Sequence, residues 1–145
     1  MANSKAIKKS KFVFKPFSKK QLKVLTWWSD DSPTCDKFIL VADGSVRSGK
    51  TIVCSLSFVL FVMNKFNGQN AALVGKSSGA VRRNVVNTLK QMLYSLDYEV
   101  IDHRADNFLE ITKGNVTNLF YIFGAKDESS QDLIQRINPL WTILR

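Results

Sequence analysis

Eight consecutive residues, Gly44-Ser45-Val46-Arg47-Ser48-Gly49-Lys50-Thr51, match the pattern G-x-x-x-x-G-K-[ST]. These residue types suit a grip on a polyphosphate. Gly44 and Gly49 let the backbone pass close around an anion with no Cβ in the way. Successive N–H groups of the loop, and the positive end of a helix starting at Lys50, would point at that anion. Lys50 reaches the β and γ phosphates as a point charge, and the Thr51 hydroxyl has the chemistry to ligate Mg²⁺. The expected nucleotide-binding residues are therefore Gly44, Ser45, Val46, Arg47, Ser48, Gly49, Lys50 and Thr51, with Thr51 the Mg²⁺ ligand.

Two residues extend this chemistry. Arg47, three residues before Lys50, could stabilise charge on a γ-phosphate during transfer, or make an ordinary surface contact. Gln21, on a short helix upstream and near Phe17 and Trp27, could pair with adenine while a ring stacks on the base; on an amphipathic helix it could equally be solvated. Asp127-Glu128 does not read as a magnesium-holding acid pair, because Gly124-Ala125-Lys126 separates it from the apolar run ending at Phe123. A loop after a strand suits it better. His103 has no nucleophile or ligand partner at a readable spacing, and a surface or loop position is expected.

The elements that must position the loop follow from the hydrophobic pattern. Pro16-Phe17-Ser18 reads as a turn and helix cap before a helix over Lys19 to Trp28, with Leu22, Leu25 and Trp28 on one face. Ser29 to Lys37 is a loop by composition. Phe38 to Ala42 is a continuous apolar run, the pattern of a strand buried on both faces. Lys50 to Phe66 is apolar nearly all round and predicts a buried helix ended by Asn67-Gly68. Ala71 to Gly75 predicts a short strand, and Ser78 to Leu96 a helix covering a sheet. Strands are expected at Glu99 to Asp102, Phe108 to Thr112 and Asn118 to Phe123, with a turn at Lys113-Gly114-Asn115 between the last two. This order predicts an α/β fold: a P-loop NTPase-type sheet flanked by helices.

Composition narrows the alternatives. The chain has 145 residues, 45% of them apolar, enough for one ordinary domain and its core. Two cysteines, Cys35 and Cys54, with one histidine cannot build a disulfide scaffold or an ordinary zinc site. Cys54 lies in an apolar run and should pack as a small hydrophobe. The longest apolar-dominated run, Ile52 to Met63, is far shorter than the roughly 20 residues of a membrane span, and no signal peptide is visible. A cytoplasmic chain is expected.

The net charge of +9 is unevenly placed. Lys5, Lys8, Lys9, Lys11, Lys15, Lys19, Lys20 and Lys23 come before the first acid, and the rest of the chain is nearly neutral. Residues 1–15 read as a basic flexible arm, with Met1 to Ser10 poorly ordered; residues 16–145 read as the domain that carries the phosphate loop. Such an arm attracts a polyanion at low salt, or serves only as a solvated tail.

The phosphate loop with its internal arginine, set among Pro16-Phe17-Ser18-Lys19-Lys20-Gln21, Trp27-Trp28, Leu73-Val74-Gly75-Lys76, Val81-Arg82-Arg83-Asn84-Val85 and Phe123-Gly124-Ala125-Lys126-Asp127-Glu128-Ser129-Ser130, resembles the large terminase subunit of tailed bacteriophages. Within that group it looks most like the PBSX-type prophage subunits. The resemblance covers about residues 14–135. It implies an ATP-driven motor packaging double-stranded viral DNA in the bacterial host, working with a small terminase subunit and a portal. It also implies Gln21 as the adenine contact, Arg47 and Lys50 at the phosphates in catalysis, and Thr51 on Mg²⁺. After Ile134-Gln135 the likeness stops. The family continues with an apolar strand ending in Asp-Glu and a later nuclease domain, where this chain reads Arg136 to Arg145. Against the family pattern, residues 16–145 are expected to be a partial P-loop ATPase domain, its sheet incomplete at the C-terminal end: a truncated product, frameshifted near residue 136, with very slow hydrolysis. The alternatives are a non-catalytic nucleotide- or DNA-binding prophage remnant, or another helicase-like P-loop ATPase.

Overall fold

In a computed structural model of the chain, residues 12–37, 39–126, 135 and 141–144 are described. The expected disordered stretch Met1 to Ser10 and the Asp127-Glu128 pair lie outside them. The elements are α1 (Lys19–Leu25), α2 (Lys50–Lys65), β1 (Asn70–Gly75), α3 (Ser78–Val81), a π-helical turn (Arg82–Val86), α4 (Asn87–Ser95), β2 (Glu99–His103), β3 (Phe108–Lys113), β4 (Val116–Gly124) and β5 (Trp141–Leu144). The five strands form one sheet in the order β2-β3-β4-β1-β5. The first three are antiparallel neighbours, whereas β4, β1 and β5 run parallel. The expected α/β architecture is present, with a mixed sheet.

Alternation along the strands sorts the two faces. Leu109 and Ile111 on β3, Phe120 and Ile122 on β4, and Ala71 and Leu73 on β1 share one face and are almost wholly buried. They pack with Leu56, Val59 and Val62 of α2 and with Leu89, Met92 and Leu93 of α4. A period of 2 meeting a period of 3.6 builds this core. The β3–β4 hairpin turns through Gly114-Asn115, where Gly114 takes the positive φ of 59° that such two-residue turns favour in glycine.

Four residues join α2 to β1, and their backbone is pinned to the start of β4. Gly68 N–H donates to the Thr117 carbonyl, and Leu119 N–H donates to that of Gln69. The buried Asn118 side chain accepts from Gln69 N–H and donates to the Phe66 carbonyl. So short a connection makes α2 run back along β1. Its N-terminus therefore lies at the edge where the parallel strands β1 and β4 end, which is where open α/β sheets hold ligands.

Three expectations need correction. Ile39 to Ala42 is not a buried strand: these residues pair with no strand of the sheet, and Ile39 and Val41 are 80% and 84% exposed. Phe38 lies outside the described residues. Apolarity confers a capacity for burial but supplies no hydrogen-bonded neighbour, and here β5 occupies the flank of β1. The Trp141–Leu144 strand itself has no counterpart in the sequence pattern. The first helix stops at Leu25 rather than Trp28, because Thr26 leaves the helical conformation, with φ −114° and ψ 15°, and Ser29 N–H then turns back onto the Thr26 carbonyl. The single helix expected over Ser78 to Leu96 contains the π-helical turn at Arg82–Val86.

Candidate functional site

The loop between Ala42 and α2 is shaped by its glycines and its lysine. Gly49 is the N-cap of α2 with φ 77°, a left-handed conformation that costs a non-glycine residue about 1–2 kcal/mol. Gly44 also has positive φ, at 153°. No side chain caps the first turn of α2. Its leading N–H groups therefore stand at the positive end of a 16-residue helix without a side-chain acceptor. The Lys50 ammonium folds back into the loop and donates to the carbonyls of Gly44 (2.6 Å) and Ser45 (2.5 Å) and to the Ser48 hydroxyl (3.2 Å). An uncapped helix end with an ammonium in front of it is an arrangement that fits a phosphate.

Gln21 is joined to this loop by its amide. Nε2 donates to the Ser48 carbonyl at 3.1 Å, while Oε1 accepts from Ser18 N–H at 2.9 Å in a capping box at the start of α1. α1 lies beside α2 in the same direction. The Ser57 hydroxyl bonds the Val24 and Leu25 carbonyls, Trp27 and Trp28 pack on Phe61, and Lys65 pairs with Asp30. That docking presents Gln21 to the loop. The rings flanking Gln21 in the sequence are engaged within the protein: Trp27 on Phe61 at 5.5 Å and Phe17 near Phe14 at 6.1 Å.

The other expected site residues are placed as follows. Arg47 is exposed, has a left-handed φ of 65°, and has no hydrogen-bond or ion-pair partner among the described residues. Val46 projects into solvent. Thr51 is half-buried in the first turn of α2, next to Lys50, and its carbonyl accepts from Ser55. The Thr51 hydroxyl has no partner among the described residues, so it fits the role of a magnesium ligand. Cys54, one turn further on, is half-buried; burial raises its thiol pKa, against the opposing charge of Lys50.

Sequence reasoning missed two contributors. Asp43 accepts from Gly44 N–H through Oδ1 at 2.7 Å and steadies the start of the loop. An aspartate directly before a turn glycine was the available signal. Ser18 is the expected cap, but its N–H also fixes the Gln21 amide. His103 is at the end of β2 rather than in a loop, stacked on Phe108 and bonded to Glu110 at 3.1 Å. It takes no part in the site.

No protein-family model matches the chain, and no curated protein sequence matches it. Solved structures do. The large terminase of a thermophilic bacteriophage matches 90% of this chain at 58% identity with a TM-score of 0.87. The complex of that terminase with ADP matches 89% at 56% identity with a TM-score of 0.83, and its complex with ATP-γ-S matches 89% at 44% identity with a TM-score of 0.77. The chain spans only about a third of those proteins, 32%, 31% and 38% of their lengths in the same order. Identity of this order over nine-tenths of the chain, with the same fold, reflects common descent, and the chain belongs to the phage large-terminase family.

Proposed function

We propose that this chain is the nucleotide-binding part of a phage DNA-packaging motor, and that residues 44–51 hold the phosphates of ATP. The observation that carries the reading is the Lys50 ammonium seated among the Gly44, Ser45 and Ser48 oxygens before the uncapped end of α2. It is supported by the thermophilic phage terminase having been solved with ADP and with ATP-γ-S. On this reading Lys50 transfers its hydrogen bonds from the loop to the β and γ oxygens, and the first-turn amides of α2 take up the negative charge. Arg47 would swing from solvent onto the γ-phosphate, engaged by no other partner among the described residues. Thr51 would hold Mg²⁺, and the charge of that ion would neutralise the phosphate oxygens.

The substrate of the assembled motor is double-stranded viral DNA, with a small terminase subunit and a portal as partners in the bacterial cytoplasm. The exposed lysines Lys15, Lys19, Lys20 and Lys23 suit contact with a phosphate backbone. No helix among the described residues is long and apolar enough to cross a membrane.

Calorimetric titration of the folded chain with ATP and with ADP, Mg²⁺ present, tests this. Saturable one-site binding to the unmodified chain, lost in Lys50→Ala, is expected. Absence of binding by the folded chain, or equal binding by the variant, would refute it.

A further inference from the structure

Among the described residues, no backbone hydrogen bond joins Ile39 to Ala42 to the rest of the chain. Exposure alternates along them: Ile39 and Val41 are 80% and 84% exposed, whereas Leu40 between them is 38% exposed and Ala42 is half-buried. A period of two is that of an extended chain, with Ile39 and Val41 on one side. The segment has no charge, no proline and no glycine, and two of its residues are β-branched. It is strand-forming backbone without a neighbour, which makes it a template for another chain.

Charge decides which chain fits. Lys37 stands before the segment and Asp43 after it, both exposed. When two copies lie antiparallel with Leu40 opposite Leu40, Ile39 faces the partner's Val41, and Lys37 faces the partner's Asp43 at both ends. A slip of one residue separates both ion pairs and turns Leu40 rather than Val41 to the side of Ile39. A parallel pairing sets like charges side by side. Both charged groups have capacity left. Lys37 bonds its neighbour Asp36 at 2.9 Å, which leaves two ammonium N–H groups, and Asp43 holds Gly44 N–H through Oδ1 alone. We propose that the chain pairs with a second copy of itself through Ile39 to Ala42, as an antiparallel ribbon centred on Leu40 and closed at each end by a Lys37–Asp43 pair. The contact is self-complementary, as a two-fold interface requires. It puts the two phosphate loops, which begin at Gly44, at opposite ends of the ribbon. The pairing is independent of the nucleotide reading above.

Sedimentation velocity of the full chain, from micromolar to millimolar concentration, tests this. The unmodified chain should show a reversible monomer–dimer equilibrium. Val41→Lys and Ile39→Lys, each at a side chain exposed in the single chain, should remain monomeric with unchanged circular dichroism. Lys37→Asp and Asp43→Lys each turn two opposite-charge pairs into like-charge pairs, and each should weaken the dimer by about tenfold or more. An equal mixture of Lys37→Asp and Asp43→Lys regains both pairs, and should associate as tightly as the unmodified chain. A monomer at every concentration overturns the proposal, and so does a dimer that survives both lysine substitutions on the apolar side, since another face then carries it. A mixture no tighter than its separate components overturns the register, and species larger than a dimer overturn the closed two-fold pair.

Discussion

Lys50 Nζ lies 2.5 Å from the Ser45 carbonyl oxygen, so the loop's own backbone supplies the ammonium with an acceptor. The bonds of Lys50 within the loop are solvent-accessible, and water can replace each partner. Lys50→Ala should therefore change global stability by no more than about 0.5 kcal/mol, as for other surface substitutions. Urea denaturation read by circular dichroism checks this. A large destabilisation would mean that the lysine holds the fold together, and loss of nucleotide binding in the variant would then no longer report on a phosphate contact.

Asp102 makes a different kind of ion cluster. Its carboxylate accepts from Arg82 at 2.7 Å, with Lys90 and Arg104 each at 3.5 Å, and its side chain is only 11% exposed. Burial works to raise its pKa, but the Arg82 hydrogen bond and the charges of Arg82 and Lys90 outweigh it and leave it below the ordinary 3.8. A carboxyl with a folded pKa below its unfolded value stabilises the protein above the unfolded pKa, and that stability is lost as pH falls through the folded one. Asp102→Asn should thus cost about 1.5–3 kcal/mol at neutral pH. The stability curves of the two proteins should converge below about pH 4. Parallel curves down to about pH 2 would contradict the assignment.

The sequence reveals the site more fully than the sheet, for physical reasons. A phosphate loop is local: Gly44, Gly49, Lys50 and Thr51 form it within eight residues, and α2 follows from unbroken apolar periodicity. The strand expected at Phe38 to Ala42 fails because strand formation depends on a neighbour, and composition does not say whether one is available. β5 escapes a sequence reading for the converse reason: four residues are too few for a periodic signal, and pairing with β1 is what makes them a strand. The bond from Gln21 to Ser48 spans 27 positions of sequence and depends on α1 docking along α2, which no spacing rule reveals.

Gly75 ends β1 with Val81 packed directly over it. A Cβ at Gly75 would lie 2.5 Å from Val81 Cγ2, too close for either to stay in place. Gly75→Ala should destabilise the fold by about 1–3 kcal/mol through overpacking. The double variant Gly75→Ala/Val81→Ala should recover part of the loss, since the two positions are in contact. A double-mutant cycle in chemical denaturation reads this, and strict additivity would contradict the contact.

Asn118 is the one wholly buried side-chain amide in the described core, and it is satisfied on both sides. Oδ1 accepts from Gln69 N–H at 2.9 Å; Nδ2 donates to the Phe66 carbonyl at 3.0 Å and approaches Met63 Sδ at 3.4 Å. It ties the end of α2 to the start of β4 and sets how α2 lies across the sheet. Asn118→Leu has nearly the same volume but removes the bond accepted from Gln69 N–H and the bond donated to the Phe66 carbonyl. Unmade hydrogen bonds at buried groups cost about 1–3 kcal/mol each. The expected loss is therefore about 2–4 kcal/mol, larger than that of Lys50→Ala, although Asn118 is remote from the phosphate loop. Because α2 separates the two positions by its full length, the fraction that remains folded should bind nucleotide as the unmodified chain does. Denaturation and titration of the same sample decide it: unchanged stability would mean that water replaces the amide, and weakened binding by the folded fraction would mean that this end of α2 sets the geometry of the other.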